Sequence, residues 1–401
     1  MPGLLNRMCH IGFHVPEGQQ LASNLVHQFG FELFAARVAE WSRQLAFRRG
    51  DAVFLVNERL KPAKRDALPV PSSGCRKDKG ILYDVDLEYA VSTASNICFE
   101  AEDVPGISQS LQERGCQILI PPTAVGDENG HVTYSVVASI IGNVSHTLLD
   151  RSRYSGPFLP GFHMAEGAPK KFQAGGQVTH FDHVTYACPQ GSSQAVLDWY
   201  KNCLGFQRFP IHQQDNGTDG YTIQGAGMGL RLTAMQSKGS DSTLLHNDCK
   251  IILAESLPEQ KKNQVDTFLE QHGGSGIQHV ALYTTGIIGA AAAMARSGAN
   301  FFKPPLSYYS EKRKVEEIRQ AGQNLQLLKD HGILLDTDLG GNSGSGGLFG
   351  KQYLMQIFTK PLFTEDTFFL ELIERCGATG FGEGNIRALW RSVQNYMDQQ
   401  V

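Results

Sequence analysis

The chain is short of several things that would point to whole classes of function. It has no C-x-x-C pair: its eight cysteines stand scattered at 9, 75, 98, 116, 188, 203, 249 and 376. That spacing argues against a disulfide framework and against a cysteine-rich zinc module, and fits reduced thiols in an intracellular protein. There is no block of like charge. A net charge of -4 spread over 401 residues offers no electrostatic footprint for nucleic acid or a polybasic membrane contact. No apolar run is long enough to span a bilayer as a helix. The opening "MPGLLNRMCHIGFHV" lacks the apolar core of a secretory signal, and it is short for an Arg- and Ser-rich transit peptide.

What is present is ample apolar material, 41% of residues, enough for two cores of ordinary size. The chain also repeats itself. "CHIGFHVP" from Cys9 is echoed by "DHVTYACP" from Asp182, and each is followed by a helical stretch ending on Gly-Phe. "AVFLVNERLKP" is echoed by "KIILAESLPEQ", and "SNICFEAEDVPGISQSLQERGCQILIPP" by "QHVALYTTGIIGAAAAMARSGANFFKPP". "HTLLDR" answers "LELIER". Four echoes in one order predict a duplicated architecture. Alternating strands around one amphipathic helix predict a βαβββ unit used four times, in sheets that curl around a cleft. The predicted bounds are an N-terminal domain over 1–152, a Gly- and Pro-rich linker over 153–177 and a C-terminal domain over 178–401 closed by a helix. "GGNSGSGG" from Gly340 reads as an exposed hairpin loop.

One acidic residue is out of place. Glu371 sits in "FFLELIE", among Phe368, Phe369, Leu370, Leu372 and Ile373. A carboxylate in an apolar strand costs several kcal/mol unless a cation, a shared proton or a metal ion accompanies it. The internal repeat supplies candidates. His183 falls where the first half has His10, His279 where it has Asn96, and Glu371 where it has Thr147. Two imidazoles and a carboxylate on one face form the facial triad typical of non-haem Fe(II) sites that activate dioxygen. His180 is expected to stand outside this set, and His10, His14, His27 and His272 are expected to be structural.

The stretches "FDHVTYAC", "GGSGIQHVALYT", "YLMQIFTKPLFTEDTFFLELIER" and "GFGEGN" resemble the 4-hydroxyphenylpyruvate dioxygenases, members of the vicinal-oxygen-chelate superfamily. The resemblance is strong over 178–390 and weaker but continuous over 8–152. It implies an α+β fold of tandem vicinal-oxygen-chelate (glyoxalase/bleomycin-resistance-like) domains, the first without a metal. It implies Fe(2+) held by His183, His279 and Glu371, with an aromatic 2-oxo acid and O2 as substrates. It further implies that Gln356 lies beside the iron, that Phe358 and Phe381 sandwich the substrate ring, and that Gln264, Gln278 and Asn385 are substrate-binding residues. Asn385 also suits a turn before the last helix. Glu383 and Arg387 suit either a gate or a solvated helix face.

Departures from the family pattern carry the product question. Ile386 stands where the dioxygenases usually carry a second Phe, and hydroxymandelate synthases of the family carry Ile there. A narrower Ile lets the substrate ring tilt so that the benzylic carbon meets the oxidant, which makes Ile386 a product-selecting residue. Ala254 and Leu232 replace polar family residues. The expectation is therefore conversion of 4-hydroxyphenylpyruvate to 4-hydroxymandelate and CO2, with homogentisate formation or a catalytically idle binding protein as alternatives. The resemblance also suggests supply of a ubiquinone headgroup and a mitochondrial rather than cytoplasmic location; a homodimer is the assembly to test.

Overall fold

A computed structural model describes residues 5–60, 80–86, 91–165, 176–211, 215, 220–225, 227–237, 249–258, 260–337 and 352–389. They form two compact units, each built on a mixed, curled sheet of nine strands.

The first unit runs β1 (Leu5–Val15), α1 (Gly18–His27), β2 (Glu32–Val38), β3 (Ser42–Arg49) and β4 (Ala52–Arg59), then β5 (Thr93–Ala101), α2 (Val104–Glu113), β6 (Ile118–Asp127), β7 (Gly130–Ala138) and β8 (Ser145–Asp150). A short β9 (His163–Met164) adds to the edge at β2. The strand order β6-β7-β8-β5-β1-β4-β3-β2-β9 is two βαβββ modules joined along the antiparallel β1·β5 seam.

The second unit runs β10 (Gln177–Cys188), α3 (Ser193–Leu204), β11 (Gln207–Phe209), β12 (Tyr221–Gly225), β13 (Met228–Gln236), β14 (Lys250–Ser256) and α4 (Gln264–His272). It continues through β15 (Gly276–Thr285), α5 (Ile287–Arg296), α6 (Lys312–Gln320), α7 (Leu325–His331), β16 (Leu334–Thr337), β17 (Tyr353–Phe358) and β18 (Phe369–Cys376). Its seam is the antiparallel pair β10·β15, with β18 parallel to β15 on the far side. The fourfold βαβββ reading thus describes both sheets.

Local chemistry accounts for the elements. In α3, Val196, Tyr200, Cys203 and Leu204 recur at helical spacing on the buried face, and the helix stops at Gly205, whose φ of 73° suits glycine. Gly30, in the matching Gly-Phe of the first half, also has positive φ, 67°. α4 opens with a reciprocal capping box between Asn263 and Asp266.

Two features depart from the plain repeat. Phe158, Leu159 and Phe162, inside the 153–177 stretch, are buried in the first unit's core, and β9 also lies in that stretch. Between α5 and β16 the fourth module carries α6 and α7, which the echo pattern does not predict. α6 is strongly charged, yet it buries Ile318 and the whole of Lys314, while Arg313–Glu317 pair on its surface. The Gly340 loop and most of the closing helix lie outside the described residues; that helix is described over 383–389. No described helix is long and apolar enough to cross a membrane.

Candidate metal centre

The seams of the two units superpose residue by residue. Gly12 faces Asn96 across β1·β5, as Thr185 faces His279 across β10·β15. Cys98 faces Thr147 across β5·β8, as Ala281 faces Glu371 across β15·β18. His10, Asn96 and Thr147 therefore correspond to His183, His279 and Glu371 in strand register, not only in sequence echo.

In the second unit these positions converge. Nε2 of His183 lies 3.3 Å from Oε2 of Glu371, and Nε2 of His279 lies 3.5 Å from the same oxygen. The two imidazoles stand edge to face with centroids 5.7 Å apart. One donor atom from each residue lies within 4.8 Å of the other two. His183 and Glu371 are each 2% exposed. The other carboxylate oxygen, Oε1, is buried and has no hydrogen-bond partner among the described residues. An orphaned carboxylate oxygen beside two imidazoles fits a divalent first-row cation, which would take up a lone pair that the protein leaves unused.

Each ring is held from behind. Nδ1–H of His183 donates to Oδ1 of Asp182 at 2.7 Å, which leaves Nε2 as the donor atom facing Glu371. Arg375 grips Asp182 through Nε and Nη2, both at 2.7 Å. Its third nitrogen, Nη1, donates to the Gly380 carbonyl at 2.6 Å. His279 is oriented by Gln278 Oε1 at 3.3 Å and by stacking on Phe369 at 4.7 Å.

The electrostatics follow from burial against charge. Burial works to raise the Asp182 carboxyl, but the Arg375 guanidinium outweighs it and holds the group well below its usual range. Burial works against charge on His183, yet the Glu371 and Asp182 carboxylates outweigh it and raise the imidazole. Burial pushes Glu371 up, and burial with the neighbouring His183 holds His279 well down. His183 and Glu371 thus compete for a proton that a divalent cation would displace.

The other predicted residues separate into two groups. Phe381 packs edge-on against His183 at 5.2 Å, and Phe358 is the cross-strand partner of Glu371 with its ring 6.4 Å from that of His279. Gln356, two residues along β17, is buried with Oε1 unpartnered among the described residues. Gly382 has φ 75°, in the left-handed region that favours glycine, and a Cβ there would meet Gln356 Oε1 at 1.7 Å. Ile386 packs into the apolar cluster that holds Phe381, Leu232 and Ala254.

The remaining three amides have these surroundings. Gln264 is exposed in the first turn of α4, while Val265 and Phe268 on the same helix enter the apolar cluster. Gln278 is spent on His279. Asn385 is fully buried and accepts from the Tyr308 hydroxyl at 2.7 Å and Lys314 Nζ at 3.4 Å. It anchors the first turn of the closing helix, which Gly384 N–H reinforces by donating to Asp336 at 2.8 Å. Glu383 is buried, and Arg387 donates to the Tyr221 hydroxyl, so neither belongs to a solvated helix face. His180 stacks on Tyr283 and is not part of the cluster.

No protein-family model matches the chain. It is 45% identical over 392 residues to the 4-hydroxyphenylpyruvate dioxygenase-like protein of Mus musculus, covering 97% of this chain and 96% of that one. It is 46% identical over 393 residues to the protein of the same description in Homo sapiens, with the same coverage. It is 29% identical over 402 residues to the 4-hydroxyphenylpyruvate dioxygenase of Caenorhabditis briggsae, covering 98% and 92%. Among solved structures it matches a triple mutant of 4-hydroxymandelate synthase from Streptomyces coelicolor with TM-score 0.72 at 20% identity, over 99% of this chain and 100% of that one, a likeness of fold.

Proposed function

Because the chain belongs to the 4-hydroxyphenylpyruvate dioxygenase family, we propose that it is an Fe(II)-dependent dioxygenase that converts 4-hydroxyphenylpyruvate and O2 to 4-hydroxymandelate and CO2. The metal chemistry rests on the His183/His279/Glu371 cluster and its orphaned carboxylate oxygen. The observation that carries the choice of product is Ile386, packed in one apolar cluster with Phe381, whose ring edge touches His183.

His183, His279 and Glu371 would hold the iron, which would supply dioxygen activation when bound, while the electrons that reduce O2 come from the substrate, two from decarboxylation of the 2-oxo acid and two from oxidation of its benzylic carbon. The chain's own part is positioning. Asp182 and Gln278 fix which nitrogen of each imidazole faces inward. Phe381 and Phe358 flank the two imidazoles, where an offset ring pair is worth about 0.5–1.5 kcal/mol beyond area burial. Gln356 offers an unsatisfied amide oxygen on the strand face next to Glu371. Buried Leu232 and Ala254, partners across β13·β14, keep the far side of the cluster apolar. Ile386 gives the substrate ring room to tilt, so that the benzylic carbon is the one presented for oxidation.

The mitochondrial address and the link to a ubiquinone headgroup belong to this proposal and rest on resemblance; subcellular fractionation tests the first. The reaction is tested by incubating iron-loaded protein with 4-hydroxyphenylpyruvate under air and resolving the products by mass and retention time. The expected product is 4-hydroxymandelate with one CO2 per turnover. Dominant homogentisate would overturn the role given to Ile386, and absence of CO2 release with any aromatic 2-oxo acid would overturn the enzyme itself.

A further inference from the structure

The first unit keeps the seam of the second but dresses it differently. His10, expected to be structural, stands at the His183 position. The positions corresponding to the other two ligands are already bonded to each other: Asn96 donates to Thr147 Oγ1 at 2.9 Å and to Asp84 at 3.1 Å, and Thr147 donates to the Tyr83 carbonyl at 2.7 Å. No carboxylate replaces Glu371 here. Sulfur stands beside His10 instead. Its cross-strand partner is Cys98, where the second unit has Ala281. A register shift between Met8 and His10 accompanies the approach of Cys9 from the neighbouring position.

The Cys9 sulfur, a ring nitrogen of His10 and the Cys98 sulfur lie within 4.8 Å of one another. Nδ1 of His10 is 3.4 Å from Cys9 Sγ. Cys98 is 0% exposed and His10 1%, while Cys9 is half-buried. Neither thiol is in a disulfide. Nε2 of His10 is buried without a hydrogen-bond partner among the described residues. A buried imidazole whose Nδ1 stands against one thiol, with a second thiol within reach of the ring, is more than apolar filling.

We propose that Cys9, His10 and Cys98 form a second metal site, made of residues distinct from the His183/His279/Glu371 set and selective for a thiophilic cation of the zinc class. Two sulfurs and one imidazole nitrogen are soft donors, whereas two imidazoles and a carboxylate suit harder iron. Around a tetrahedral zinc with Zn–S near 2.3 Å, two sulfurs lie about 3.8 Å apart, so closure needs side-chain shifts on the order of 1 Å. Three protein ligands leave a fourth coordination position for water. Binding involves no redox change: zinc enters and up to two thiol protons leave to solvent.

The test uses the full chain, reduced and stripped of metal, titrated with Co(II) as a spectroscopic stand-in for zinc. The His/His/Glu site contains no sulfur, so a near-UV sulfur-to-cobalt charge-transfer band reports a thiolate site alone. The band is expected to appear, to persist in Glu371→Gln, to vanish when Zn(II) is added and to be lost in Cys9→Ser. In the unmodified protein, Zn(II) should protect two thiols from alkylation, identified by peptide mass as Cys9 and Cys98; this arm does not depend on how a variant folds. No sulfur band, a band that Cys9→Ser leaves intact, or protection of a different pair overturns the proposal.

Discussion

Arg375 holds Asp182 through two hydrogen bonds of 2.7 Å, and Asp182 passes that constraint to the Nδ1 face of His183 at the same distance. The metal-facing nitrogen is therefore set by a residue four positions beyond Glu371 on the same strand. Asp182→Asn keeps the shape but removes the charge. The expected outcome is a 10–100-fold loss of Fe(II) affinity, the usual cost of removing such a support, with the far-UV spectrum unchanged. Calorimetric titration measures it, and unchanged affinity would show that the Asp182 charge does not matter to the site. Arg375→Met should behave differently, because it strands a buried carboxylate; about 3–5 kcal/mol of stability should be lost, visible in chemical denaturation.

Ile386→Phe puts a flat ring into the apolar cluster beside Phe381. If the width of residue 386 lets the substrate ring tilt, the variant should form more homogentisate. A reorientation worth about 1.4 kcal/mol in relative barrier changes the product ratio tenfold. The ratio is read by chromatography at equal turnover. An unchanged ratio would mean that Ile386 is packing and that something else governs the site of attack.

Leu232 and Ala254 face each other across β13·β14 and present no polar atom from their side chains. A site that hydrogen-bonds a substrate hydroxyl rejects the analogue lacking it by roughly 10⁴–10⁵, but an apolar site discriminates by only about a hundredfold or less. Phenylpyruvate should therefore be turned over with kcat/KM within about two orders of magnitude of 4-hydroxyphenylpyruvate. Comparing the two substrates with the same preparation decides the point. Rejection by four orders would show that another residue recognises the phenol.

The parts of the site that were legible in the chain are those the duplication exposes. The echoes of Cys9 and Asp182, of "SNICF" and "QHVAL", and of "HTLLDR" and "LELIER" place His183, His279 and Glu371 in register, because strand period and repeat length fix which side chains share a face. Asp182 and Arg375 were visible too, as charged residues in apolar strands, but their pairing joins positions 193 apart in sequence and shows no local period. Gln264 could not be placed from pattern alone: at the start of a helix a shift of one residue exchanges the exposed face for the buried one, and Val265 is the residue that turns inward. The helices α6 and α7 were missed because their charges suggest a solvated segment, and only the fold brings Lys314 to Glu317, Asn385 and the Leu335 carbonyl.

His146 makes the stability of the first unit depend on pH. The ring is fully buried on β8, with Nδ1 3.4 Å from the Ile97 carbonyl and Phe99 5.3 Å away. Burial lowers its pKa to about 4. In the unfolded chain the imidazole takes its proton near 6.5. Between those values the unfolded state holds a proton that the native state does not, so stability rises with pH across this window. The contribution is intact above about pH 6.5 and is lost as pH falls towards 4, by about 2 kcal/mol at pH 5 and about 3 kcal/mol at pH 4. Denaturation of the unmodified protein and of His146→Gln at pH 7 and pH 5 isolates it. The variant should lose about 2 kcal/mol less than the unmodified chain over that interval. Equal losses would assign the acid sensitivity to other groups, whereas a smaller loss in the variant would show that β8 carries a neutral imidazole that the folded unit cannot charge without opening.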